Sequence, residues 1–158
     1  MKPALLAALA ALVLSTPAAT HALSRTQSAV QENVPGRANA NRHRLQLQST
    51  GRFAGLLVAS CRVEDPDTIG VALLLGEGRV RTGAQRVAIT RETGERRVAE
   101  LVPSEDFLTL AGAGAAETLG WALEGGSVRF RHDDGVEAAF DLGAARADIA
   151  RFRQLCRF

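Results

Sequence analysis

Two distant cysteines, three short acidic clusters and two pairs of arginines are the residues of this 158-residue chain whose types and spacing bear on chemistry. Cys61 and Cys156 are its two cysteines. An even count in an exported chain reads as a disulfide, with free thiols or a bridge between two copies as the alternatives. Zinc sites and dithiol redox centres both use a short Cys-x-x-Cys spacing, which is lacking here. A bond from 61 to 156 closes a loop of about 100 residues, for which the chain-entropy model gives up to about 4.7 kcal/mol. Such a bond ties the last element of the fold to an early strand and keeps it from fraying.

The acidic clusters point to weaker chemistry. His132-Asp133-Asp134 joins a histidine to two carboxylates, all potential metal ligands. Adjacent residues in a tight turn rarely converge on one ion, so a solvated hairpin turn is expected. Glu64-Asp65-Pro66-Asp67 offers oxygen ligands but not the spaced series and glycine of a calcium loop, and reads as a turn. Glu105-Asp106 would suit acid–base work only if convergent, and neighbours in a strand point to opposite faces. There is no Gly-x-Ser-x-Gly nucleophile elbow, and Gly76-Glu77-Gly78 makes neither a phosphate loop nor a dinucleotide fingerprint. A serine meeting His43 or His132 in space is beyond what spacing reveals. No catalytic residue, metal ligand or cofactor is therefore assigned. Trp121 is the single tryptophan, tyrosine is absent and aromatics make up 4% of the chain, which argues against a sugar platform or a base-stacking surface. Trp121 is expected in the core.

The arginines carry the charge. Lys2 is the only lysine, so the 19 basic residues include 18 arginines, against 17 acidic residues. That near balance gives no reason to expect nucleic acid as a partner. The distribution is uneven: residues 23–62 hold Arg25, Arg37, Arg42, Arg44, Arg52 and Arg62 against Glu32 alone. This stretch reads as a solvated leader or as an arm for an anionic surface. Arg42 and Arg44, with Arg129 and Arg131 further on, are the candidate binding residues.

The elements that must position these groups follow from patterning. Residues 1–22 have the order of a secretory signal peptide: Lys2, an apolar run over 4–14, Ser15-Thr16-Pro17, then small residues to Ala22. Cleavage is expected after Ala22, or else after Ala18. The run is too short for a bilayer, which needs roughly 20 apolar residues. Residues 23–42 lack a sustained period and read as a flexible basic leader. A single β-rich domain is expected over 43–158. HRLQLQS and FAGLLVASCRV make a hairpin into Cys61, and IGVALLL, RVAIT, RRVAELV and residues 107–110 are further strands. Residues 116–126 read as a short helix ending at a glycine pair. In SVRFRHDDGVEAAFDL, two alternating strands flank Asp134-Gly135, a strong hairpin signal. Arg129 and Arg131 are expected to face Glu137 and Asp141 across that pair. Leu142, Ala145, Ile149, Phe152 and Cys156 are spaced 3, 4, 3, 4, one apolar stripe of a C-terminal helix, with Asp141 able to cap its start. The expected class is mainly β: an antiparallel sheet or sandwich of about seven or eight strands, one short helix, a C-terminal helix and one disulfide.

With strands and cysteines placed, LLVASCRV (56–63), VRFRHDDGVEAAFDL (128–142) and ARADIARFRQLC (145–156) carry a resemblance. The chain resembles the small periplasmic, type VI secretion-associated VasI-like family, and more loosely the invasion-associated locus B group. The resemblance spans about 43–156 in outline. It implies a secreted β-rich domain that binds or assists something in the envelope, and it supplies no catalytic residue. VAITRET departs from the family's pattern by lacking an Asp, and the early strand lacks a Trp. The expectation is an exported, non-enzymatic periplasmic accessory or binding protein of the bacterial envelope, with a protein or an envelope component as partner and no transmembrane segment after cleavage. The alternatives are a small inhibitor presenting a loop to an enzyme cleft, or a hydrolase assembled from His132, Asp133 and Glu105.

Overall fold

A computed structural model describes residues 25–35, 40–76 and 82–158. Residues 1–22, expected to be a signal peptide, residues 23–24 and 36–39 of the expected leader, and 77–81 lie outside the described residues. The described chain forms β1 (Arg25–Pro35), β2 (Asn41–Thr50), β3 (Gly55–Arg62), β4 (Ile69–Leu75), β5 (Gln85–Arg91), β6 (Arg96–Ser104), β7 (Phe107–Ala111), α1 (Ala113–Ala122), β8 (Ser127–His132), β9 (Glu137–Asp141) and α2 (Arg146–Leu155). The strands make one antiparallel sheet in the order β1-β2-β3-β4-β7-β6-β5-β8-β9. It folds over at β6, whose residues 96–101 pair with β5 and whose residues 102–104 pair with β7. β9 thereby returns beside the start of the sheet. The Ala139 N–H donates to the Phe53 carbonyl at 3.1 Å, and the Asp141 N–H to Thr26 Oγ1 at 2.7 Å. Gly55 sits at this seam, where an added Cβ would overlap that of Ala138.

The mainly β class and the disulfide hold, with nine strands among the described residues. The difference from seven or eight lies in the leader. Residues 25–35 were expected to carry no element, yet they pair with β2 through most of their length. Thr26, Ser28 and Val30 turn inward while Gln27, Ala29 and Gln31 are exposed. The alternation is that of a strand, but two of three inward residues are polar, so a hydrophobic period is missing. Distant groups supply the anchors. Ser28 Oγ donates to Asp148 Oδ2 at 2.5 Å, and Glu32 pairs with Arg151 at 2.7 Å.

Alternation builds the core. Leu45 and Leu47 of β2, Leu57, Ala59 and Cys61 of β3, and Ile69, Val71, Leu73 and Leu75 of β4 are buried on one face. Val87 and Ile89 of β5, Phe130 of β8 and Phe140 of β9 meet them from the other limb, the last two edge-to-face at 5.9 Å. Both helices pack on this inner side. The expected stripe of α2 is buried throughout, from Leu142 to Cys156. Cys156 is bonded to Cys61, with Cα atoms 5.8 Å apart and both residues fully buried. Asp141 caps the turn before α2 rather than the helix: Oδ1 accepts the Gly143 and Ala144 N–H groups at 2.9 and 3.3 Å. α1 starts at Ala113, earlier than the expected residue 116, because alanine is a strong helix former and Ala115 is buried. Neither helix of the described chain is long and apolar enough to cross a membrane.

Candidate functional site

The outer faces of the two limbs separate the candidate arginines. On β8, Val128, Phe130 and His132 point inward, so Arg129 and Arg131 must point outward. Register then fixes their neighbours. One row across the sheet runs Arg96, Thr90, Arg129, Ala139 and the next runs Val98, Ala88, Arg131, Glu137. The small Thr90 and Ala88 of β5 lie between larger side chains of β6 and β8. The result is a groove of about 620 Å³ floored by Ala88, Thr90 and Ala139 and lined by Arg96, Arg129 and Arg131.

Glu137 is the counter-charge. Its carboxylate lies 3.7 Å from Arg129 Nη1 and 3.4 Å from Arg131 Nε. The two arginine side chains are 53% and 63% exposed, whereas Glu137 is recessed at 15%. One carboxylate is thus shared by two guanidiniums that remain open to solvent. The expected partnership with Glu137 is present; that with Asp141 is not, because Asp141 faces Ser127 and holds the turn into α2. Arg129 is also steadied by Phe53, its guanidinium carbon 5.0 Å from the ring centre.

Arg42 and Arg44 line a different, smaller groove of about 340 Å³ on the outer face of β2, β3, β4 and β7, with Val58, Ser60, Ala72 and Thr109. Arg42 Nη1 donates to Ser60 Oγ at 3.4 Å. The two pairs of candidate arginines line separate grooves.

The acidic clusters serve local structure. His132, expected on a solvated turn, is only 8% exposed, because it occupies an inward position of β8. Its Nε2 lies 2.8 Å from Gln85 Oε1, and its Nδ1 accepts the Asp134 N–H at 3.1 Å with Asp134 Oδ1 2.8 Å away. Gly135, at φ 88°, provides the left-handed residue this turn requires. Glu105 and Asp106 are not strand neighbours but the two central residues of the β6–β7 hairpin, since Ser104 pairs with Phe107 and Glu105 has φ 56°. In the 64–67 loop, Asp65 accepts from Thr68 at 2.5 Å and the Pro66 carbonyl accepts the Arg157 N–H at 3.0 Å. That loop docks the chain just beyond Cys156.

Trp121, expected in the core, packs against the core from its edge. It is half-buried, with the guanidinium carbons of Arg91 and Arg97 4.9 and 4.7 Å from its ring centre. Arg91 pairs with Glu95 and, at 2.8 Å, with Glu124; Arg97 pairs with Glu117 at 3.0 Å. The stack joins α1 to the β5–β6 hairpin.

No protein-family model, curated protein or solved structure matches this chain. The groove's own chemistry carries the functional reading. Guanidiniums on a rigid sheet, beside a hydroxyl and methyl groups, suit the capture of carboxylate or phosphate. Sequence patterning located Arg129 and Arg131. It missed Arg96 and the floor, whose only signal is the small Ala88 and Thr90 at outward positions of RVAIT.

Proposed function

We propose that this chain is an exported, non-enzymatic accessory protein of the bacterial cell envelope that binds a partner through the β5–β6–β8–β9 groove. The observation that carries this reading is the pair Arg129 and Arg131, exposed above a floor of small side chains and sharing one recessed carboxylate. Binding surfaces that capture anions use arginine because its planar fork meets an oxygen pair with two hydrogen bonds. Support for export comes from the signal-like pattern of residues 1–22 and from the disulfide, a bond that persists in oxidising compartments. The resemblance to small periplasmic secretion-associated proteins points the same way. The hydrolase reading draws on His132, Asp133 and Glu105, which lie in two different hairpins, with His132 engaged on both ring nitrogens.

The test places a photo-crosslinking amino acid at Val98, which borders the groove and is 47% exposed, or at Gln48 on the other limb. The full chain is expressed in a Gram-negative host and the envelope is fractionated. The expected result is periplasmic protein with oxidised cysteines and an envelope adduct from position 98 that is absent from position 48. Cytoplasmic protein with free thiols, or equal adducts from both positions, would overturn the proposal.

A further inference from the structure

We infer that the groove takes an acidic peptide in extended conformation, laid along β5 with carboxylates at alternate residues. This rests on the groove being the binding surface and names what that surface recognises. Arg129 and Arg131 are two residues apart on one face of β8, so their Cα atoms are about 6.8 Å apart. An extended peptide repeats its own side chains at the same interval. Two carboxylates spaced i, i+2 therefore meet both guanidiniums without a change of backbone, whereas adjacent carboxylates point to opposite sides.

The cross-section agrees with one chain. β6 and β8 flank β5, so the walls stand about 9.6 Å apart, two strand spacings. The floor between them is Ala88 and Thr90, side chains short enough to admit a backbone. Arg96 places a further guanidinium on the β6 wall, opposite Arg129 across Thr90. Val98, exposed in the next row, offers an apolar contact for a residue between or beside the acids. Glu137 occupies the anion position loosely. Charge-assisted N–H···O bonds normally measure about 2.7–2.9 Å, and both of its arginine contacts are longer, at 3.4 and 3.7 Å. It offsets half of the pair's charge in the free protein and must be displaced by the incoming carboxylates.

The experiment measures fluorescence anisotropy of the disulfide-bonded protein with two labelled peptides of identical composition and charge. One contains Asp-Ser-Asp-Ser-Asp and the other Asp-Asp-Ser-Ser-Asp, which has no two carboxylates at i, i+2. The alternating peptide is expected to bind about tenfold more tightly, the effect of one additional well-formed charged contact. The double variant Arg129→Ala/Arg131→Ala should lose at least about tenfold in affinity, and Glu137→Gln should gain about threefold or more. Thr90→Phe fills the floor while keeping every arginine and should block binding; melting curves establish that each variant folds. Equal affinity for the two peptides, or unimpaired binding by Thr90→Phe, would overturn the extended-chain inference. So would stronger competition by inorganic phosphate or by phosphatidylglycerol vesicles, which would assign the groove to a phosphate-bearing surface. An envelope adduct at Val98 without selective peptide binding would sink this inference alone. Selective peptide binding by a chain that is not exported would sink the envelope proposal alone.

Discussion

α1 and α2 are both ten residues long and both lie on the inner side of the sheet, yet different forces hold them. α2 presents one continuous apolar stripe and ends in a covalent bond to β3. α1 buries Leu119 and Ala122 but leaves its tryptophan only partly buried at the core's edge, under two arginines that reach across from β5 and β6. Apolar burial is non-directional and robust to salt, whereas ion pairs and ring–cation contacts are short-ranged and partly screened. The limb that carries the groove is thus joined to its helix by the weaker kind of contact. The limb opposite is clamped.

Breaking the α2 contact should have the largest effect. Phe152 is fully buried and packs at 5.5 Å from Phe158. Phe152→Ala is expected to lower unfolding free energy by about 3–5 kcal/mol, from lost burial and the cavity left behind. Urea denaturation would measure it, and a loss below about 1 kcal/mol would mean that α2 is not part of the cooperative core.

Cys156→Ser should follow, at about 2–5 kcal/mol for the oxidised protein. The diagnostic is the reduced protein, where wild type and variant should melt together. Equal losses in both states would assign the effect to packing rather than to the cross-link. Because Cys156 lies one turn beyond Phe152, the two substitutions should not add.

These elements were also the most legible in sequence. The 3, 4, 3, 4 stripe and the Asp134-Gly135 turn are local patterns with a single structural solution. β1 was illegible because its inward positions are filled mostly by Thr and Ser, and its anchors Asp141, Asp148 and Arg151 lie more than a hundred residues away in sequence. The groove was half legible. Alternation in one hairpin exposed Arg129 and Arg131, but the opposite wall depends on β5 lying between β6 and β8. That neighbourhood is set by topology, not by any local period. The edge position of Trp121 was illegible for a related reason: its cover is polar, and only the tertiary fold brings Arg91 and Arg97 over it.

Trp121→Ala tests the weaker attachment. Half-burial of the ring plus two guanidinium contacts suggest a loss of about 2 kcal/mol. The loss should shrink in high salt as the accompanying ion pairs of Arg91 and Arg97 are screened, whereas that of Phe152→Ala should not. Hydrogen exchange would show the difference locally, with α1 amides gaining exchange before α2 amides in the variant. The reverse order would mean that the two helices share one cooperative unit and that the contrast in their anchoring has no energetic consequence.

The smallest expected effect sharpens the comparison most. Arg129→Ala/Arg131→Ala removes two side chains that are more than half exposed and whose only counter-charge among the described residues is a carboxylate beyond ideal distance. Exposed pairs of this kind contribute about 0–1 kcal/mol. Removing both also relieves repulsion between like charges two residues apart on one strand face, so the melting temperature should move by no more than about 2 °C. A groove selected for stability would have brought Glu137 into a tight bidentate bond with one arginine. Two guanidiniums sharing one carboxylate is an arrangement that leaves hydrogen-bond donors free for a ligand. A large loss of stability in this variant would show instead that the arginines brace β8 against β9, and would return the groove to the structural side of the comparison.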